Sequence, residues 1–283
     1  MNFSIIGPSG YIAGRHLDAI IKLSSYNIVS YLDLLPSKFR GLNSKTKFFN
    51  DEVAFFSDLC SHDVDFLIIC SPNFMHFQQI KKSLELGINV ISEKPICINS
   101  NELDQLVHIS NASKADIFGI MQLRMHPVAM KLKNIASNIE NPTSGKISFI
   151  THRDEDYKKS WKVSTQKSGG ILFNLGVHYF DLLIQAFGKP INSSVLSLDD
   201  FHAFGSTEFV NLSIDWKFSI RDDDLPANQN TLREFIINNQ TIDFSNVSND
   251  LHFENYKEII NNKQFKLSDL YDSHLMVAKI NEQ

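Results

Sequence analysis

Residues 1–122 alternate short, almost continuously apolar runs with stretches of helical periodicity, and this alternation restricts the possible folds more than any other feature. The runs are FSII (3–6), IVSYLD (28–33), VDFLIICSP (64–72), INVISEKP (88–95) and DIFGIMQL (116–123). Between them lie the helical patterns IAGRHLDAIIKL, FMHFQQIKKSLELG, which stops at Gly87, and NSNELDQLVHISNASKA, with Ser100 or Asn101 as its cap. Strands that are apolar on both faces belong to a parallel sheet covered by helices on both sides. The spacing predicts a doubly wound α/β domain over 1–122.

After Leu123 the pattern changes. RMHPVAMKLKNIASNI reads as a linking helix and KISFITHRD as a strand. GGILFNLGVHYFDLLIQAFG reads as a long apolar helix bracketed by Gly169–Gly170 and Gly188. In TEFVNLSIDWKFSIR, the residues Val210, Leu212, Ile214, Trp216, Phe218 and Ile220 alternate with mostly polar neighbours, the period of a strand with one wet face. REFIINNQTIDF predicts a hairpin turning at NNQ, and helices over 251–261 and 267–281 finish the chain. Residues 123–283 are therefore expected to form an α+β domain with an open, mostly antiparallel sheet.

The glycine turn comes next. SIIGPSGYIAGRH follows the first strand and opens the first helix, with Gly7 and Gly10 spaced G-x-x-G and small Ala13 beyond them. Such a turn lets backbone approach a pyrophosphate at a helix N-terminus. Ser9 replaces the usual middle glycine and Pro8 removes one N–H. Asp33, at the end of the second strand, is placed to accept from both ribose hydroxyls and would repel a 2′-phosphate, which favours NAD over NADP.

Bulk properties exclude several classes. The chain has 283 residues, 43% hydrophobic and 21% charged, with ample material for two cores. A net charge of -5 argues against nucleic acid or an anionic membrane as the main partner. No apolar run approaches the roughly 20 residues of a membrane span, and the first residues lack the pattern of a signal peptide. Cys60, Cys70 and Cys97 have no ligand spacing and are expected to be buried thiols in a reducing compartment, so a cytoplasmic protein is expected. The histidines are scattered without paired spacing, so no metal site is expected. No Ser/His/Asp arrangement stands out.

Taken singly, other residues stay open. Lys94 in VISEKP reads either as a surface lysine at a strand end or as a group delivered into a site. His178 in NLGVHYFD reads either as a core histidine or as a proton-exchanging group with a pKa suited to neutral pH. Asn174 and Asp181 stand four before and three after it, on one face of a regular helix.

Taken in order, CSPNFMHF, VISEKP and GGILFNLGVHYFD resemble the Gfo/Idh/MocA oxidoreductase family over essentially the whole chain. Within that family, GYIAGRHLDAI, MQLRMHP, SWKVSTQKSGG, DLP (224–226) and DLH (250–252) are most similar to the bacterial UDP-N-acetylglucosaminuronate 3-dehydrogenases. The resemblance implies a Rossmann domain plus an open-sheet domain, NAD as cofactor, and oxidation of a sugar 3-hydroxyl in surface polysaccharide synthesis. It implies a catalytic Lys94 projecting beside the nicotinamide, with His178 and Asn174. Cofactor contacts would come from Gly7, Ser9, Gly10, Tyr11, Ile12, Asp33, Ser71, Asn73, His76, Glu93, Lys94 and Gln122. For a pyrophosphate and a carboxylate, Arg124, His126, Arg153, Tyr157, Trp161, Lys162 and Arg233 are candidates, each with ordinary surface charge or packing as the alternative. Many family members carry Asp where Asn174 stands. An amide there makes His178 less basic, shifts weight to Lys94, and counts against an inositol substrate. The resemblance also implies a homodimer or homotetramer built through the second sheet. Another sugar or polyol substrate, or a catalytically silent NAD-binding regulator, are the competing functions.

Overall fold

The computed structural model describes residues 1–36, 39–60, 63–244 and 250–283, which pack as two compact units. The first comprises Met1–Cys97, Asn101–Gln122 and Asn249–Leu270, and the second Ile98–Ser100, Leu123–Ser248 and Tyr271–Gln283. A single cut after residue 122 therefore does not describe the packing, because a helix far along the chain returns to the first unit.

In the first unit the elements are β1 (Asn2–Ile6), α1 (Ala13–Ile21), β2 (Asn27–Leu32), β3 (Lys47–Phe49), α2 (Glu52–Leu59), β4 (Phe66–Ile69), α3 (Asn73–Glu85), β5 (Asn89–Ser92), α4 (Ser100–Ala112) and β6 (Ile117–Gly119). All strand pairs are parallel, in the order β3-β2-β1-β4-β5-β6. This is the doubly wound arrangement the apolar runs predict. The order reverses between β1 and β4, and the carboxyl ends there form the usual ligand crevice of such sheets. The expectations passed over β3 and α2, and Cys60 is exposed rather than buried because it ends α2, while Cys70 and Cys97 are buried. A strand of three half-exposed residues carries no period, whereas α2 has a legible start, since the Asp51 side chain accepts the Ala54 amide at 2.7 Å.

The second unit runs through α5 (Pro127–Ser137), β7 (Thr143–Thr151), α6 (Glu155–Lys159), α7 (Thr165–Ser168), a π-helical turn at Leu172–Gly176, α8 (Val177–Phe187), β8 (Asn192–Leu198), β9 (His202–Phe209), β10 (Leu212–Ser219), β11 (Thr231–Ile237) and β12 (Gln240–Thr241). Its sheet is ordered β12-β11-β7-β10-β9-β8, antiparallel except for β7 with β10. Two helices complete the chain, α9 (Leu251–Asn262) in the first unit and α10 (Leu267–Asn281).

The α8 helix lies on this sheet through aromatic contacts. Phe180 meets Trp216 edge-on at 5.6 Å and Phe218 at 5.5 Å, and all three are buried. Trp216 fits because position 205 is glycine, where a Cβ would stand 2.7 Å from the indole ring. The expected turn at NNQ is present, with Asn238 and Asn239 both at positive φ, as a tight hairpin of matching twist requires. Val210 departs from the expected alternation. It lies between β9 and β10, 73% exposed, because the apparent single strand is a hairpin.

Candidate functional site

The first unit carries one group of candidate residues at the ends of β1, β2, β4 and β5. Gly7 sits at φ +73°, and a Cβ there would stand 3.0 Å from the Cys70 carbonyl oxygen, so the turn needs glycine for both conformation and space. Gly10 closes the turn by donating to the Gly7 carbonyl at 3.0 Å, and no side chain caps the start of α1 at Ile12. Asp33 is fixed at both oxygens, accepting the amide of Ser9 at 2.9 Å and that of Leu34 at 2.7 Å. Beside it Leu34 and Leu35 are 87% and 73% exposed, an apolar surface of the kind a base ring covers. Neither leucine was singled out from the sequence, because exposure rather than residue type marks them. Gln122 keeps a buried side-chain oxygen without a hydrogen-bond partner among the described residues. These features fit a dinucleotide.

After β4, Ser71 donates its hydroxyl to Gln79 at 2.6 Å, and Asn73 is buried at the start of α3. His76 departs from the expected role at ribose or nicotinamide. Its ring is fully buried, with Nδ1 2.7 Å from the Pro95 carbonyl and Nε2 2.8 Å from the Ser71 carbonyl. Burial lowers its pKa in spite of these two carbonyl contacts, and the neutral ring donates its single N–H to one carbonyl at a time. The histidine therefore ties the turn after β4 to the turn after β5, which carries Lys94.

Glu93 precedes that lysine and is buried within a histidine cluster. Its Oε1 lies 2.8 Å from His16 Nε2 and 3.5 Å from His252 Nε2, and its Oε2 accepts the Lys94 backbone amide at 3.1 Å. His16 Nδ1 in turn meets the Tyr256 hydroxyl at 2.8 Å. Burial alone would raise the Glu93 carboxyl, but the hydrogen bond from His16 and the close approach of both imidazoles outweigh it and hold the pKa well below its ordinary value. Burial would likewise lower His16. The surrounding Cys70, Tyr256 and Glu93 outweigh it and raise the imidazole well above its ordinary value. His252 is lowered by burial, against the pull of Glu93. Glu93, expected to meet the cofactor or orient its loop, bonds within the protein to His16 and to the Lys94 amide. His16, His252 and Tyr256 were given no role from sequence. His16 and Tyr256 stand 240 positions apart, so only folding brings them together. These three ligand-type groups, His16, Glu93 and His252, also lie within 4.8 Å of one another, which scattered histidines gave no reason to expect.

The second unit presents the remaining candidates. Asn174 lies within a π-helical turn at Leu172–Gly176, so the stretch from Asn174 to Asp181 is not one regular helix. Asn174 donates its amide to the Lys162 carbonyl at 2.6 Å and to the Ser168 hydroxyl at 3.1 Å. It thereby ties down the segment that bears Trp161 and Lys162, both half-buried. His178 is buried in the first turn of α8. Asp181 turns instead to Arg124, which grips it in a two-pronged pair at 2.7 and 2.5 Å. Arg124 was expected to meet an anionic substrate, but its charge is matched inside the protein. His126 likewise caps α5, accepting the Val128 amide at 3.1 Å, and stacks on Phe244.

Three of the expected substrate residues do converge. Arg153 and Lys162 lie over the Tyr157 ring at 4.9 and 5.2 Å, and Arg153 Nε is buried without a hydrogen-bond partner among the described residues. Burial raises the Tyr157 phenol, with Arg153 opposing. Arg233 lies apart from them, over Phe149 on the neighbouring strand at 5.0 Å, near the buried Tyr179, whose phenol is pushed up to about 12.

Residues 1–118 match the oxidoreductase family's NAD-binding Rossmann fold, and residues 133–202 match that family's C-terminal alpha/beta domain. The chain is similar to the WlbA (WbpB) dehydrogenase of Thermus thermophilus crystallised with NAD and UDP-GlcNAcA, at 30% identity, covering 99% of this chain and 94% of that one with a TM-score of 0.90. The same dehydrogenase with NAD and alpha-ketoglutarate matches at 29% identity, with the same coverage and TM-score. An Amycolatopsis mediterranei oxidoreductase, provisionally described as a UDP-kanosamine synthase subunit, is 25% identical over 240 residues, 82% of this chain and 64% of that protein. The chain spans about half to two thirds of the length of the curated relatives it matches first. Among the described residues no helix is long and apolar enough to cross a membrane. With both of its domain types matched and a 30% identical relative aligned almost end to end, the chain belongs to the Gfo/Idh/MocA oxidoreductase family, and NAD is its cofactor.

Proposed function

We propose that this chain oxidises the 3-hydroxyl of a UDP-sugar acid, UDP-N-acetylglucosaminuronate, to the 3-keto sugar, as a cytoplasmic step towards bacterial surface polysaccharide such as the O-antigen of lipopolysaccharide. The observation that carries this reading is the near-complete alignment with the Thermus thermophilus dehydrogenase that binds NAD and UDP-GlcNAcA. The glycine turn of Gly7, Ser9, Gly10, Tyr11 and Ile12 would cradle the pyrophosphate at the start of α1. Asp33 would accept from the adenosine ribose, Leu34 and Leu35 would lie against the adenine, and Ser71, Asn73 and Gln122 would meet the remaining polar groups. When bound, NAD supplies the acceptor for the hydride leaving the sugar. Lys94 would hold the 3-hydroxyl and take its proton, with His178 as a second proton-holding group. Arg153 and Lys162, held over the Tyr157 ring and supported by Asn174 behind Lys162, would supply the positive charge that a carboxylate or pyrophosphate requires, with Trp161 beside Lys162 and Arg233 elsewhere on the same unit. Self-association through the wet face of the second sheet, with its partly exposed Phe204, completes the proposal.

The test is a single-turnover measurement of reduced-nicotinamide absorbance after mixing NAD-loaded protein with UDP-N-acetylglucosaminuronate. UDP-N-acetylglucosamine and myo-inositol run alongside, and Lys94→Ala is the control. Signal from the uronate alone, lost in Lys94→Ala, is the expected result. Signal from another sugar replaces the substrate, and silence from every sugar with NAD bound favours a regulator.

A further inference from the structure

We propose that His16, Glu93 and His252 form a positioning network for Lys94, fixing where the lysine stands and which charge it faces. The inference rests on the reading of Lys94 as the proton-handling residue. Glu93 is the hinge of the network. Its Oε1 faces both histidines, and its Oε2 accepts the backbone amide of Lys94 itself. His16 is anchored on its far side by Tyr256, and His252 Nε2 is buried, makes no hydrogen bond among the described residues, and is aimed at the carboxylate from 3.5 Å.

A carboxylate and two imidazoles are costly to bury. An apolar set of equal volume would hold α1 against α9 at least as well, so helix packing does not explain them. What distinguishes Glu93 is its attachment to residue 94. The 2.8 Å separation of His16 and Glu93 is a hydrogen bond, shorter than the about 3.3 Å between two ligands on one tetrahedral zinc. The carboxylate beside Lys94 is balanced by His16. The other charged or titratable groups facing the cluster are Arg15 on α1, Cys70 after β4, His76 on α3 and Tyr256 on α9.

Two readouts on the full-length, NAD-loaded protein test this. The first needs no sugar. Lysines are reductively methylated with carbon-13, and the Lys94 signal is assigned by its loss in Lys94→Arg. That signal is expected to move in His16→Ala and His252→Ala, and to return towards its original position in His16→Gln and His252→Gln, which restore a side-chain N–H. The second is the single-turnover rate with UDP-N-acetylglucosaminuronate, expected to fall ~10–100-fold in the alanine variants as a misplaced group would dictate, with half-saturating sugar unchanged and recovery in the glutamine variants. Should the alanine variants not fold, Glu93→Gln keeps the volume, removes the charge, and is expected to move the signal. An unmoved Lys94 signal in folded variants, or equal losses for alanine and glutamine, overturns the network. If wild type does not turn over the uronate, or Lys94→Ala does so normally, the functional reading falls and the Lys94 signal alone decides the network.

Discussion

The Asp33 carboxylate accepts the backbone amide of Ser9 at 2.9 Å, tying the end of β2 to the glycine turn after β1. The acid proposed to discriminate between cofactors is thus held by the turn that would carry the pyrophosphate. Its position does not depend on a flexible side-chain search.

Replacing Asp33 with alanine removes both the ribose acceptor and this brace. Hydrogen bonds to a charged group contribute about 1.5–3 kcal/mol, so NAD affinity is expected to drop roughly 10–150-fold. Affinity for NADP is expected to drop less, because the repulsion of its 2′-phosphate goes too. Calorimetric titration with each dinucleotide checks both directions.

Gly7→Ala tests the turn. A left-handed φ and a Cβ 3.0 Å from the Cys70 carbonyl oxygen together predict a loss of about 1–3 kcal/mol. Scanning calorimetry should register a lower Tm for the variant, and a Tm equal to wild type would contradict the steric argument.

The Arg124–Asp181 pair predicts an asymmetric mutant series. Both side chains are largely buried, at 13% and 2% exposure, so Asp181→Asn leaves an arginine charge without its partner. The expected cost is about 3–5 kcal/mol, with a smaller cost for a double replacement by apolar residues. Urea midpoints for the two variants give the comparison directly.

The His16–Glu93 pair predicts a pH window. His16 is raised above its ordinary 6.5, so its contribution is complete below 6.5 and declines as pH rises through the raised value. Glu93 is depressed below its ordinary 4.5, so its contribution is complete above 4.5 and declines as pH falls through the depressed value. The stability gap between wild type and His16→Ala should therefore be widest between pH 4.5 and 6.5 and narrow on either side. Denaturant midpoints measured across that range check it.

The sequence by itself determined the parallel sheet, the glycine turn with Asp33, and Lys94 at the end of β5. Each is written in local chemistry: apolar runs fix buried strands, glycine fixes a left-handed turn, and a strand end fixes where the next residue emerges. The hairpin at Asn238–Asn239 was legible for the same reason, since few residues accept positive φ. Only the tertiary structure decided which polar groups serve the protein's own framework. Arg124, His126 and His76 have the residue types of a binding site, and their partners, Asp181, the α5 amide and two turn carbonyls, come from packing that no local pattern encodes. Regular helical spacing put Asn174 on one face with His178 and Asp181, but a π-helical turn interrupts that spacing, and Asn174 holds the Lys162 carbonyl. The return of α9 to the first unit put His252 and Tyr256 around Glu93 and His16. Hydrophobic period records which way a residue faces, but not which distant charge it will meet, because that contact exists only once the chain has closed on itself.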